Sequence, residues 1–276
     1  MTGAAKAISL PPLTTKGRVT QARVIRSEWT KLVSLRSTRW SLLVAVLLTI
    51  GLPLLFAAVT SSHWGSMSPG DRADRHPLDI ALAGVNLSQL AIGVLGVLVI
   101  TGEYSTGMIR ASLTAVPKRL PMLWGKAAVF AVVTFVLTLP SVFIAFFGSQ
   151  AILSRHDILQ ISVSHSGVLR AIAGGAVYLM LLGLFALAIG TIVRNTAGGI
   201  AAFAAIFFVI PPLLNILPTS WNNAISPYLP DAAGRSIFSL THGAHSLGPG
   251  PGLALFTGYC AAAIAIAALV LLRRDA

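Results

Sequence analysis

The chain has 276 residues, 55 % of them apolar and only 10 % charged, with a mean hydropathy of +0.81. A soluble globule of this length has too little interior to hide that much apolar surface, so an ordinary soluble domain is excluded. Twenty Lys and Arg against eight Asp and Glu give a net charge of +12. The basic residues lie between apolar runs, which fits an anionic membrane surface better than a nucleic acid. The single cysteine, Cys260, excludes an internal disulfide framework and a multi-cysteine metal site.

Residues 1–18, with Pro11, Pro12 and scattered Gly, Ser and Thr, are too polar to pack and read as a disordered cytoplasmic tail. The remainder, 19–276, reads as one transmembrane domain. Over 20–39, Ile25, Trp29 and Leu32 recur at helical spacing while Arg23, Ser27, Thr30, Lys31 and Ser34 fall opposite. This pattern predicts an amphipathic helix on the inner leaflet, with Glu28, Trp29, Lys31 and Arg36 as its functional positions. Glu28 lies near the edge of the apolar face, within reach of Lys31 or a neighbouring segment.

Crossing a hydrocarbon core about 30 Å thick takes roughly 20 apolar residues. Six stretches qualify: Ser41–Thr60, Ile80–Thr101, Ala127–Phe147, Ala171–Val193, Ala197–Leu217 and Gly252–Leu272. None contains Asp, Glu, Lys, Arg or His within these limits. The first begins only after forty residues and is long enough to span, so it reads as a retained span rather than a signal peptide. With the amino terminus inside, the inner segments hold 15 Lys and Arg and the outer ones 5, which predicts cytoplasmic termini. Between the first two spans, Pro69 and Gly70 mark a bend. Pro211 and Pro212 are expected to end or kink the fifth span. The outer loop 218–251 carries Trp221 and Tyr228, suited to the headgroup level, and a possible short helix over Ala232–Leu240. Two of the six histidines, His242 and His245, have i, i+3 spacing, but no complete metal-ligand set is legible.

The inner connection 102–126 reads GEYSTGMIRASLTAVPKRLPMLWGK. Ser105 or Thr106 can cap a helix, Ile109 and Leu113 share a face, and Pro117 disfavours helix at Val116. This predicts about two turns of helix with an apolar stripe, flanked by Glu103 at its positive end and by Lys118 and Arg119 at its negative end. Such a helix either docks into a groove on a soluble partner or lies in the interface without one.

The entry helix RSEWTKLVSLRSTRW, the six spans and the loop EYSTGMIRASLTAVPKR followed by GK resemble the ABC-2 type permeases, the membrane subunits of bacterial ATP-binding-cassette exporters. The resemblance runs from about Arg23 over nearly the whole chain. It implies an all-α polytopic fold with six transmembrane helices and an amino-terminal interfacial helix. It also implies a coupling helix between the second and third spans, pushed by a separate ATPase subunit. On that reading Glu103, Tyr104, Gly107, Met108 and Arg110 are coupling positions beside Ile109 and Leu113, and Pro117, Lys118 and Arg119 close the helix.

The chain carries no G-x-x-x-x-G-K-[ST] phosphate loop, since Gly125-Lys126 is followed by Ala127. ATP and Mg are therefore expected on the partner subunit, with no cofactor, metal or catalytic residue on this chain. Spans without titratable relays also argue against an ion-coupled carrier. Asn86, Ser88 and Gln89 form the strongest polar cluster in a span, and either line a pathway or hydrogen-bond between helices. The expectation is a dimeric export permease in the bacterial plasma membrane, formed with a second copy or a paralogue, in contact with lipid and not with nucleic acid. The alternative is a non-transporting anchor or scaffold for an ATPase or regulator.

Overall fold

In the computed structural model, the described residues are 20–73, 75–105, 119–156, 158, 160–240, 243 and 245–273. They are 86 % helical and include no strand. In chain order the elements are α1 (Gln21–Ser34), α2 (Arg36–His63), α3 (Pro69–Ala73), α4 (Pro77–Ser105) and α5 (Arg119–Leu153). There follow α6 (Val168–Val193), α7 (Thr196–Ala204), a π-helical turn (Ala205–Val209), α8 (Ile210–Leu214), α9 (Thr219–Ile225), α10 (Pro230–Arg235) and α11 (Pro249–Arg273). Six helical runs are long and apolar enough to cross a bilayer: α2, α4, α5, α6, the continuous α7–α8 run and α11. The chain is thus a helical membrane protein. Helices suit that role because each satisfies its own backbone hydrogen bonds where no water can.

The expected spans all lie within or close to these runs, but several helices are longer. α4 and α5 extend past the apolar stretches to take in Glu103 and Lys126, both buried. The expected absence of charge thus holds for the apolar stretches and fails for the helices that contain them. The interfacial helix expected over 20–39 also stops sooner. Leu35 is extended (φ −72°, ψ 119°) and separates α1 from α2, so Arg36 opens the first span instead of lying on the surface helix. No glycine or proline forces this break. It lets α1 turn its buried side toward α5 while α2 follows α4.

Pro211 and Pro212 do not end the fifth span. The helix passes through them to Leu214, and the adjustment appears one turn earlier. Two missing N–H groups leave the carbonyls four residues back without their usual donors, and a wider turn can accommodate this. The Ile210 N–H reaches Ala205 O, a five-residue step.

α6 occupies the centre. Tyr178, Leu179, Leu182 and Ala186 are fully buried in a core shared with α4, α5, α10 and α11. α2, α7–α8 and α11 turn most of their apolar surface outward, as lipid-facing helices do. Glycine allows the closest helix approaches: a Cβ on Gly84 of α4 would sit 2.4 Å from the carbonyl oxygen of Thr49 in α2. At the same crossing Thr49 Oγ1 and Ser88 Oγ are hydrogen-bonded at 2.7 Å, and Ser88 also donates to Ala45 O at 3.0 Å.

This crossing predicts a contrast. Gly84→Val should push α2 off α4 and cost about 1–3 kcal/mol or more, seen as lower heat stability in detergent. Gly51→Ala has no heavy atom within 4 Å of the new Cβ. It should be neutral or stabilising by up to about 1 kcal/mol in the same measurement.

Candidate functional site

The buried side of α1 is Val24, Glu28 and Leu32, one residue at each helical repeat. The face expected from the sequence was different: of its three residues only Leu32 is buried, while Ile25 and Trp29 are 38 % and 49 % exposed. The helix is rotated so that Glu28 points into the protein. Gly125 permits the approach, because a Cβ there would meet Val24 Cγ1 at 2.9 Å. A hydrogen bond of 3.1 Å from Gln21 Nε2 to Pro121 O fixes the other end of the contact between α1 and α5.

Glu28 meets two lysines. Its Oε1 accepts from Lys31 Nζ at 2.8 Å and its Oε2 from Lys126 Nζ at 2.6 Å. Glu103 Oε1 accepts from the same pair, at 3.0 Å from Lys31 and 2.9 Å from Lys126. Two carboxylates and two ammonium groups therefore form a closed ring that joins α1, the last turn of α4 and the second turn of α5. Lys126, Glu28 and Glu103 are buried, and Lys31 lies at the edge.

Glu103 sits in the last turn of its helix, where the dipole disfavours a negative charge. The following helix, at whose positive end it was expected, lies outside the described residues. The two lysines supply the stabilisation that the helix end does not. Burial alone would raise the pKa of the Glu28 carboxyl, but Lys126 and Lys31 outweigh it and hold the group below its ordinary range. Burial likewise disfavours the Lys31 ammonium, and Glu28 with Glu103 outweighs it and raises its pKa.

The end of α4 is tied on its other side as well. Tyr104 carries the Arg194 guanidinium over its ring at 5.4 Å, and Thr196 Oγ1 donates to Thr101 Oγ1 at 3.0 Å. Arg194 adopts a left-handed conformation (φ 59°) that closes α6, and its Nη2 donates to Val270 O near the end of α11. Asn195 then caps α7, accepting from Gly198 N at 2.9 Å. Thr101, Glu103 and Tyr104 thus connect the end of α4 to α1, α5, the end of α6 and the start of α7.

The expected helix between the second and third spans, with Gly107, Met108, Ile109, Arg110, Leu113, Pro117 and Lys118, lies outside the described residues. Its stems are described: Ser105 ends α4 and Arg119 opens α5. Trp29 and Arg36 are exposed and take no part in the ring. Lys126, which completes the ring, was not singled out from the sequence. The available signal was a lysine directly before an apolar run, in a chain with few carboxylates to balance it.

The polar cluster of the second span divides. Ser88 is fully buried at the α2 crossing. Gln89, also buried, meets the Tyr178 hydroxyl, which is itself 3.1 Å from Asp231 Oδ1. One phenolic proton cannot serve both acceptors. The hydroxyl therefore donates to Gln89 Oε1 or to Asp231 Oδ1, one at a time. Asp231 also accepts from Arg235 Nε at 2.8 Å. Asn86 is half-buried, and its Oδ1 has no partner among the described residues.

Asp231 and Arg235 belong to α10, in the segment expected to lie back at the outer interface. Part of this segment packs into the protein: Ala233 and Gly234 are buried, and a Cβ on Gly234 would lie 2.5 Å from the Tyr178 ring. The helix there runs over Pro230–Arg235 rather than Ala232–Leu240, because Pro230 starts it two residues before the expected helix. No known protein family matches the sequence, and no curated protein is significantly similar to it.

The ring sets two expectations. Lys126→Met leaves both carboxylates short of a partner and should cost roughly 3–5 kcal/mol, whereas Lys126→Met with Glu28→Gln restores charge balance and should recover part of it. A double-mutant cycle by thermal unfolding in detergent measures the difference. The Glu28 contribution is complete above the unfolded carboxylate pKa and is lost as pH falls through the lowered folded value. The Lys31 contribution is complete below the unfolded lysine pKa and is lost as pH rises through the raised folded value. Stability should therefore be level between about pH 5 and about pH 10 and decline on either side.

Proposed function

We propose that this membrane protein is the permease subunit of an ABC-2 type ATP-binding-cassette exporter, located in the bacterial plasma membrane with both termini cytoplasmic. It works as a dimer, with a second copy or a paralogue, and with two separate ATPase subunits that hold ATP and Mg. The supporting sequence features are the six apolar spans, the basic entry helix, the inner connection 102–126 and the lack of a phosphate loop.

The observation that carries the reading is the four-charge ring. It joins α1 to both stems of the inner connection, through Glu103 on α4 and Lys126 on α5. A push delivered by an ATPase to the segment around Ile109 and Leu113 would displace both stems together and carry α1 with them. A change at the ATPase is thus converted into a tilt of the second and third spans, which opens the path outward. The cargo is an amphiphile or another hydrophobic compound, consistent with the apolar faces of the spans.

Replacing Ile109 and Leu113 by Asp should abolish co-purification of the ATPase subunit from native membranes while insertion remains intact. The wild-type chain should raise the ATPase's hydrolysis rate and drive cargo from vesicles. Recruitment without flux would identify an anchor, and reporter fusions that place residues 106–118 outside the cell would end this reading. Glu103→Lys brings three ammonium groups together. It should impair coupled hydrolysis more than His63→Ala, a change at an exposed residue of the opposite end.

A further inference from the structure

α1 and α2 meet at Leu35, and the first turn of α2 has no capping side chain. The N–H groups of Arg36, Ser37 and Thr38 have no acceptor earlier in their own helix, and no acidic residue lies in that turn. The turn instead carries Arg36 and Arg39, both exposed and without an ion pair among the described residues. The start of a helix favours negative charge, so the dipole and both guanidinium groups act here in the same sense.

This turn borders a cavity of about 340 Å³ between α1, the start of α2, the end of α4 and the start of α5. Ser37 and Thr38 both line it. Thr38 is only 4 % exposed, yet its hydroxyl has no hydrogen-bond partner among the described residues, and its oxygen is not sealed off. A hydroxyl at that depth is normally paired, so it calls for a partner that enters through the cavity. Deeper walls are apolar, with Leu95, Leu98, Val99 and Val129, while the rim at Ser34, Leu35 and Ser37 is exposed. Ligand cavities span roughly 300–1,000 Å³, so this one is at the small end and suits one hydrocarbon chain. Glu28 and Glu103 also border it, but each already accepts from both lysines.

We propose that this cavity binds a glycerophospholipid, with its phosphate on the Ser37 and Thr38 hydroxyls and the uncapped N–H groups of α2, and one acyl chain along Leu95, Leu98, Val99 and Val129. The second chain stays in the bilayer. Phosphate fits because the N–H groups of a helix start converge on one point, and its oxygens are the acceptors that Thr38 lacks. The occupant is a lipid rather than a free anion because the polar end continues into hydrocarbon walls. Trp29 and Trp40, 49 % and 66 % exposed, flank the junction as side chains do at the headgroup level. The site needs only a chain embedded in a bilayer and does not depend on the transport reading.

The test uses the full chain in dodecyl maltoside micelles and a phosphatidylglycerol carrying a diazirine in one acyl chain, with cross-linked residues mapped by mass spectrometry. Cross-links are expected at Leu95, Leu98, Val99 or Val129. A diacylglycerol with the same chains lacks only the phosphoglycerol and should label these positions at least about tenfold less, the size expected for one hydrogen bond to a charged acceptor. Thr38→Val keeps the side-chain shape without the hydroxyl and should lose roughly tenfold in labelling by the phospholipid, with heat stability retained as the control for folding. Leu98→Trp narrows the apolar wall and should abolish labelling; if that variant does not fold, Thr38→Val still decides. The proposal is overturned if cross-links fall only on the outward faces of α2, α7 and α11, or if the diacylglycerol labels equally well. Unchanged labelling of Thr38→Val also overturns it. Inorganic phosphate that displaces the probe as effectively as unlabelled phosphatidylglycerol would identify a free-anion site and overturn it too.

Discussion

Four charges placed where charge is costly organise one end of this protein. Each carboxylate of the ring meets both lysines, so removing any one member leaves at least one buried charge without its full set of partners. Ion pairs of this kind contribute less to net stability than equivalent apolar packing would. They do, however, specify one arrangement, since no other rotation of α1 brings Glu28 to Lys126. This requirement accounts for the exposed Ile25 and Trp29, for the interruption at Leu35 and for the glycine at position 125.

The opposite half of the bundle is organised by a neutral hydroxyl and one ion pair. Tyr178 stands on the central helix and links Gln89 of α4 to Asp231 of α10, so the α10 segment is held by a directional contact as well as by packing. Gly234 against the Tyr178 ring and Gly252 against Ser236 allow this segment to come within backbone distance of α6 and α11. The two polar networks are separated by the apolar middle of α6, where Leu182, Ala186 and Leu187 are fully buried.

Much of this was legible in the sequence. Six spans follow from hydropathy alone, and the pairing of Glu28 with Lys31 follows from their i, i+3 spacing. Gly93 and Gly96 sit at close helix approaches, since a Cβ at either would collide with Phe203 or with Gly183 O. The rest depends on contacts between distant positions. Periodicity gave α1 its most apolar face, whereas the fold selected the face that carries a carboxylate, and hydropathy cannot rank a buried ion pair above a tryptophan. The same limit concealed Lys126, which is 98 residues from Glu28, and Tyr178, whose partner Asp231 lay in a segment read as lying at the outer interface. Proline rules foretold a disturbance in the fifth span but not that a π turn would absorb it one turn upstream.

The single extended residue at Leu35 divides the amino-terminal region mechanically. Upstream, α1 is bound by the ring to α4 and α5; downstream, α2 is bound to α4 near its own middle, through Thr49, Ser88 and Gly84. Rotation about the two backbone torsions of Leu35 can thus let α1 follow the α4 and α5 stems while the first span keeps its crossing with α4. The joint gives the surface helix the role of a hinged strut, with its pivot at the near end of the first span and its load applied half a helix away at Glu28.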